Sequence, residues 1–459
     1  MTNDFITKED LSLFTTGSRF IIGSILFDKK YGNKQATFDL YVRELPEHRN
    51  YLVFAGLPSV LEYLLNFKFT DKQIAWIDAN YHLDKKFKDL LKKFRFTGDV
   101  SAMKEGTIFF PNEPILRITS SLLEVSFVEM FLINALYYPI IFASKLSRFI
   151  EAAKGKEAVV AYNRSYGVET VLKAERIKEI MFGKITGVAL YPYRIDVPAF
   201  STGTYHYFIK AFNKEIDAMR AYLSYTKGKG YVLVDTYDAA RGIENYIKAA
   251  KELKQQGVTD FTGVQIDSGN LYRLSCLARK RLDEEGLVNA KIWAMSNLNE
   301  YKVDELVKKK APIDVYAGGT EVSTPSDSPT LELVYKLCEM EENGKMTPKM
   351  KTSTGKVSLP GLKQVYRFEK NHKFINDAIG LENENLKGRP LLVPMIKAGK
   401  LVYKQPNLKG INEYFLKEKE KFNSKLFDVN KKFNYPVKVS EELKKLTEKT
   451  RNEIERHHH

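Results

Sequence analysis

The chain has 459 residues, 44% hydrophobic and 12% aromatic, enough apolar material for two or three packed domains and too much for extended disorder. Its net charge of +15 suits a polyanionic partner such as a phosphorylated small molecule, or a merely solvated lysine surface; without a basic-aromatic RNA signature or zinc-finger spacing, nucleic acid is set aside. The two cysteines, Cys276 and Cys338, each fall in a helical pattern without CxxC spacing, which excludes a disulfide framework or cysteine zinc site and fits a reducing compartment.

The N-terminal segment MTNDFITKEDLSLF is acidic early and has no apolar signal core, so a cytoplasmic protein is expected. Residues 1–125 read as an α+β domain. Phe38, Leu40 and Val42 alternate as a strand does, and Gly56-Leu57-Pro58 marks the change from strand to helix. Pro111-Asn112 separates two further short strands. A long helix is predicted from Ser121 to Ala153, with Pro139 as a kink or break. Its most apolar part, Met130 to Ala143, is too short to span a bilayer and is interrupted by Asn134 and Pro139, so a buried helix and no membrane contact are expected.

Residues 126–345 carry a βα rhythm. Strand exits fall at Asp235, Asp267, Ser296 and Gly318, at intervals of 32, 29 and 22 residues. Helices are predicted over Ile243–Gln256, Leu271–Glu285 and Asn299–Lys310. Such intervals suit a barrel or a wound sheet that presents its strand tips along one edge. Residues 346–459 lose the rhythm and read as strands and hairpins followed by a Lys- and Glu-rich helical tail. The final His457, His458 and His459 have the look of a purification tag and are set aside.

Two of these tips carry carboxylates. YVLVDTYD ends on Asp235 and GVQIDSGN on Asp267, Ser268 and Gly269, and tips of neighbouring parallel strands converge. The plainer reading, an Asp that caps the following helix, stands beside this one. Outside the tail there are four histidines, and His206 is set apart by its neighbours Gly203 and Thr204. A histidine oriented by a carboxylate such as Asp235 acts as base or nucleophile. The turn Gly318-Gly319-Thr320 after the apolar run Ile313–Ala317 offers backbone N–H groups to a phosphate, and Asp267 suits ribose hydroxyls or magnesium. The absence of GxSxG, HExxH and GxxxxGK[ST] removes the hydrolase elbow, the zincin and the P-loop.

These segments together resemble the nicotinate phosphoribosyltransferase family. FDLYVRELP, EGTIFFPNEPILRI, VDTYDAARG, IDSGNLYRLSCLARKRLD, AGGT, LPGLKQVYR and RPLLVP occur in the family's order along nearly the whole chain. The resemblance implies an irregular (β/α) barrel of the type II phosphoribosyltransferase kind, plus an N-terminal α+β domain completed by the C-terminal segment. It implies a homodimer that joins nicotinate to phosphoribosyl pyrophosphate, with magnesium and with ATP as co-substrate. By resemblance His206 is the histidine phosphorylated by ATP and Asp235 its orienting acid. Arg164, Asp267, Ser268, Gly269, Gly318, Gly319 and Thr320 fall on the phosphoribosyl pyrophosphate site, and Thr204, Gln265, Ser18 and Phe20 on the base site.

This chain departs from the pattern chiefly at the base. Ser18 stands where the family has a tyrosine, Gln265 where it has an arginine, and Asn270 where it has an aspartate. The Gly203-Thr204 to His206 spacing is one residue short. The family's glycine-rich stretch has no counterpart between Ile185 and Ser201. A neutral base such as nicotinamide, which Gln265 suits, and a non-catalytic phosphoribosyl-binding homologue stand as alternatives.

Overall fold

The computed structural model describes residues 6–182, 188–195 and 203–458. Of the stretch from Ile185 to Ser201 on which the glycine-rich segment was sought, residues 185–187 and 196–201 lie outside them. The chain divides into two units. The first comprises residues 1–141, 330–426 and 432–459; the second comprises 142–329 and 427–431. The sequence reading set its boundaries at 125/126 and 345/346. The units divide after Ile141, further along the helix Leu122–Ala152, and before Thr330, ahead of the strand Leu333–Glu342.

That helix is continuous through Pro139. A proline cannot donate to the carbonyl four residues earlier, here that of Ala135. Gly56 lies against this carbonyl: a β-carbon there would stand 3.0 Å from the Ala135 oxygen. Its φ of 102° also requires glycine at the strand-to-helix turn. The most apolar 18 residues of the helix are 67% buried.

In the first unit a seven-stranded antiparallel sheet runs Lys345–Pro348, Leu333–Glu342, Gln35–Val42, Leu116–Ser121, Asp99–Ala102, Val393–Lys397, Lys400–Leu401. N-terminal strands are thus paired on both sides by C-terminal ones. Cys338 lies on the strand Leu333–Glu342, not on a helix as its surroundings suggested. The misreading has a physical cause: LVYKLCEMEE has apolar residues at both helical and strand spacings, and only pairing with Gln35–Val42 decides. Burial pushes the Cys338 thiol up, so it is unreactive.

This unit also buries a charged cluster. Arg367 donates to Asp377 at 2.6 Å and to the Ile108 carbonyl at 2.7 Å, and the Tyr435 hydroxyl donates to Asp377 at 3.1 Å. Glu113 is fully buried beside them, and burial together with the neighbouring Asp377 charge holds its carboxyl well above the ordinary range. The folded protein therefore keeps a proton that the unfolded chain releases near pH 4.5. Stability from this group is complete below that pH and falls as pH rises toward the raised folded value. Glu113→Gln, which mimics the protonated form, is expected to flatten this slope. Denaturant midpoints at pH 5 and pH 8 check it, and the variant's advantage should be larger at pH 8.

The second unit is built on a five-stranded, all-parallel sheet in the order Glu157–Val160, Val315–Gly318, Lys291–Leu298, Gly263–Ile266, Tyr231–Leu233. A single parallel bridge, Gly203 to Tyr231, extends it. Helices Ala239–Gln255, Leu271–Glu284 and Glu300–Lys308 connect successive strands, within a few residues of their predicted ends. The spacing of strand exits suited such a parallel sheet, as barrel or wound sheet, and the family resemblance implied the irregular (β/α) barrel. Side chains alternate along each strand. Val159, Tyr231, Trp293, Val315 and Ala317 pack together on one face with Met295, and parity puts Gln265 on that same face, while Asp235 and Asp267 lie just past the strand ends.

Candidate active site

The site lies at the C-terminal ends of the parallel strands, the edge where such sheets bind ligands. The strand Tyr231–Leu233 leads into Asp235-Thr236, and Gly263–Ile266 leads into Asp267-Ser268-Gly269. Capping is handled by other side chains. Asp238 accepts from the Arg241 N–H at 2.8 Å and Asn270 from the Arg273 N–H at 3.0 Å. Asn270 thus does what an aspartate would do at this N-cap. With the caps supplied elsewhere, Asp235 and Asp267 are available for other work.

Asp235 is 9% exposed, and its Oδ2 accepts from the Asp267 N–H at 2.9 Å and from the Ser268 hydroxyl at 2.6 Å. Its Oδ1 is buried with no hydrogen-bond partner among the described residues. These bonds clamp the Asp267-Ser268-Gly269 turn, in which Gly269 holds φ at 79°. Burial, then the Asp235 charge, push the Asp267 carboxyl up from its ordinary value; His206 and Arg164 pull it back. Arg164 is exposed in the loop after Glu157–Val160.

His206 begins the short helix His206–Lys210. Its Nδ1 lies 3.1 Å from the Thr236 hydroxyl and its Nε2 3.5 Å from Asp267 Oδ2. The expected orienting acid is therefore corrected. Asp267, not Asp235, faces the imidazole, and Asp235 acts one step back by fixing Asp267. Thr236 was not singled out in the sequence; its position directly after a strand-exit aspartate was the available signal.

Several other assignments are redrawn. Thr204 is buried, and its hydroxyl accepts from the Leu233 N–H at 2.9 Å, so it pins the sheet edge rather than presenting itself to a base. Phe20 is 2% exposed and packs against Phe69, Tyr81 and Phe127 in the core of the first unit, where it is unavailable to a ligand. Ser18, also in the first unit, is exposed and shares a hydrogen bond of 2.9 Å with the Thr16 hydroxyl. Gln265 is buried on the barrel face, and its amide donates to the Met295 thioether at 2.7 Å.

At the Gly-Gly-Thr turn the two glycines do different things. A β-carbon on Gly318 would meet Val322 at 2.5 Å, so this glycine serves packing. At Gly319 nothing lies within 4 Å, which leaves its backbone open to a ligand. Thr320 opens the turn of helix that follows, and its carbonyl accepts from the Thr324 hydroxyl at 2.6 Å.

Comparison with known proteins shows the family. Residues 18–137 match the N-terminal domain model of nicotinate phosphoribosyltransferase (NAPRTase), and residues 383–447 match its C-terminal domain model. A nicotinate phosphoribosyltransferase of Mycobacterium tuberculosis is 34% identical over 411 residues, 89% of this chain and 87% of that protein. One of Bacillus subtilis is 33% identical over 468 residues, 95% of this chain and 94% of that protein. Among solved structures, human nicotinic acid phosphoribosyltransferase shares the fold with a TM-score of 0.82 at 19% identity, covering 95% of this chain and 99% of that one. The nicotinate-nucleotide pyrophosphorylase of Pyrococcus furiosus shares it with a TM-score of 0.72 at 22% identity, covering 94% of this chain and 100% of that one. The chain belongs to the nicotinate phosphoribosyltransferase family, and it is a phosphoribosyltransferase.

Proposed function

We propose that this protein joins nicotinate to phosphoribosyl pyrophosphate, giving nicotinate mononucleotide and pyrophosphate, and couples the reaction to ATP through a phosphorylated His206. The observation that carries this reading is the imidazole held between the Thr236 hydroxyl and Asp267. With Asp267 ionised, Nε2 keeps its proton and Nδ1 offers a lone pair, so Nδ1 is the nucleophile that takes the phosphoryl group. Water later accepts that group. In the transfer itself the bond from the anomeric carbon to pyrophosphate breaks as the pyridine nitrogen bonds to that carbon. Gly319 and Thr320 receive a phosphate, Arg164 faces the negative charge of the substrate, and Asp267 meets the ribose.

Magnesium fits these residues. No three His, Cys, Asp or Glu side chains form a metal cage among the described residues. Magnesium needs none, because one or two carboxylates and substrate phosphates hold it. The unpartnered Asp235 Oδ1 and the raised Asp267 carboxyl are what a nearby cation would relieve. When bound, the ion neutralises pyrophosphate as it leaves.

The test is product formation from nicotinate, phosphoribosyl pyrophosphate and magnesium, with and without ATP, in wild type and His206→Ala. ATP is expected to stimulate the wild type, and His206→Ala is expected to lose that stimulation while keeping a slow basal reaction. Turnover that ATP leaves unchanged would remove the phosphohistidine; turnover with nicotinamide alone would favour the second reading, which the neutral Gln265 supports. We also infer a cytoplasmic homodimer, which sedimentation of the purified protein checks for assembly.

A further inference from the structure

The second unit has a cavity of about 430 Å³ at the end of its parallel sheet opposite the candidate active site. Glu157 and Lys291 each begin a strand, Asp314 stands just before Val315–Gly318, and all three line the cavity. Gly319 and Asp267 lie past the other ends of these strands. A four-residue strand spans about 13 Å, so the two places are separate. Val159 lines the cavity and also belongs to the apolar cluster with Tyr231, Val315 and Ala317, so packed side chains bound the cavity on the sheet side.

Three lysines from three elements converge on this space. Lys156 comes from the turn before Glu157–Val160, Lys178 from the helix Val168–Phe182 and Lys291 from the strand Lys291–Leu298. Like charges gathered in a concavity repel, and the nearby carboxylates answer these only in part. Lys156 Nζ stands 4.0 Å from Asp314 Oδ1, while Asp314 Oδ2 is committed to the Ile292 N–H at 2.9 Å. Lys178 is buried and meets Glu175 at 2.7 Å, yet burial still pulls its ammonium down from the ordinary lysine value. Lys291 is exposed, with no ion-pair partner for its ammonium among the described residues. The wall thus sets three ammonium groups against Glu157 and a partly used Asp314, and it favours an anion over a cation.

The remaining wall is apolar, with Ile150, Ala158 and the half-buried ring of Phe182. Gly155, at φ 85°, has nothing within 4 Å of where a β-carbon would stand, so its backbone is open to the cavity. The volume is in the range that holds small molecules. Three ammonium groups match a phosphate monoester, which carries close to two charges, better than a single carboxylate.

We propose that this cavity is a second ligand site, which takes an aromatic phosphate monoester of mononucleotide size. Its phosphate lies among Lys156, Lys178 and Lys291, and its ring lies against Ile150 and Phe182. The proposal requires neither ATP coupling nor a particular base at the active site. Two sources offer this chemistry, the pyridine mononucleotide that the proposed reaction forms and an adenine mononucleotide.

Calorimetric titration of the protein, with phosphoribosyl pyrophosphate and magnesium saturating the active site, tests it. One further equivalent of nicotinate mononucleotide, of adenosine monophosphate or of each in turn is expected to bind, and the separate titrations tell the sources apart. Lys291→Glu is expected to weaken that binding about tenfold or more, because a hydrogen bond to a charged group is lost and a like charge replaces it. Lys291 is exposed and stands at the opposite end of the sheet from the reacting groups, so melting temperature, kcat and KM should stay level. Lys156→Glu repeats the test from a second element. Inorganic phosphate is expected to bind more weakly, since it brings no ring to the apolar wall. No further equivalent of either nucleotide, or one that both variants leave intact, overturns the site. Inorganic phosphate that binds as tightly as the nucleotides overturns the aromatic class of ligand.

Discussion

Asp235→Ala is expected to lower kcat/KM by about a thousandfold, within the range that positioned acid–base groups supply. The side chain makes no contact with His206. Its Oδ2 holds the Asp267 N–H and the Ser268 hydroxyl, so removing it frees the turn that presents Asp267 to the imidazole. Near-attack geometry is sensitive to such loosening, and displacement by an ångström costs about a hundredfold. The milder Asp235→Asn keeps one acceptor and removes the charge. Burial and then that charge raise Asp267, so the variant's Asp267 should ionise at lower pH. If ionised Asp267 is the working form, the acidic limb of the pH–rate profile moves to lower pH even as the maximum falls. An unmoved limb would mean that the two carboxylates are not coupled in the working enzyme.

Glu300→Ala is expected to be the most damaging single change to stability in the second unit, at about 3–5 kcal/mol. Glu300 is fully buried at the start of the helix Glu300–Lys308. Its two oxygens accept from Lys145 at 2.5 Å and from Arg148 at 3.0 Å. Lys145 also reaches Asp327 at 2.8 Å, and Arg148 the Val429 carbonyl at 2.9 Å. Truncating Glu300 removes the carboxylate that both buried cations face. A folded structure pays heavily for such a charge, whereas replacing the group as a whole with apolar residues costs little. Thermal unfolding of Glu300→Ala checks this, and a variant as stable as wild type would contradict the account.

Much of the scaffold could be read from the chain alone. Local chemistry specifies the helix caps at Asp238 and Asn270, the glycine turn at Gly56 and the strand exits at Asp235, Asp267 and Gly318. Each depends on a few consecutive residues and on backbone rules that act over one turn. The family likeness also rests on such stretches, because the loop words and their order survive substitution elsewhere.

What only the tertiary structure decided is which side chains meet. The sequence offered two aspartates for His206; pairing of Tyr231–Leu233 with Gly263–Ile266 sets the register that brings Asp267 to the ring and turns Asp235 toward Asp267. It offered Phe20 to a base, and the aromatic core of the first unit took it, because burying a large ring against three others outweighs leaving it exposed. Cys338 followed its strand partner instead of its local pattern. Trp293 gave no sign at all, since an indole in an apolar run reads as core. That its N–H has no partner among the described residues is seen only in three dimensions, because a hydrogen-bond vacancy depends on all the surrounding groups and on no single stretch of sequence.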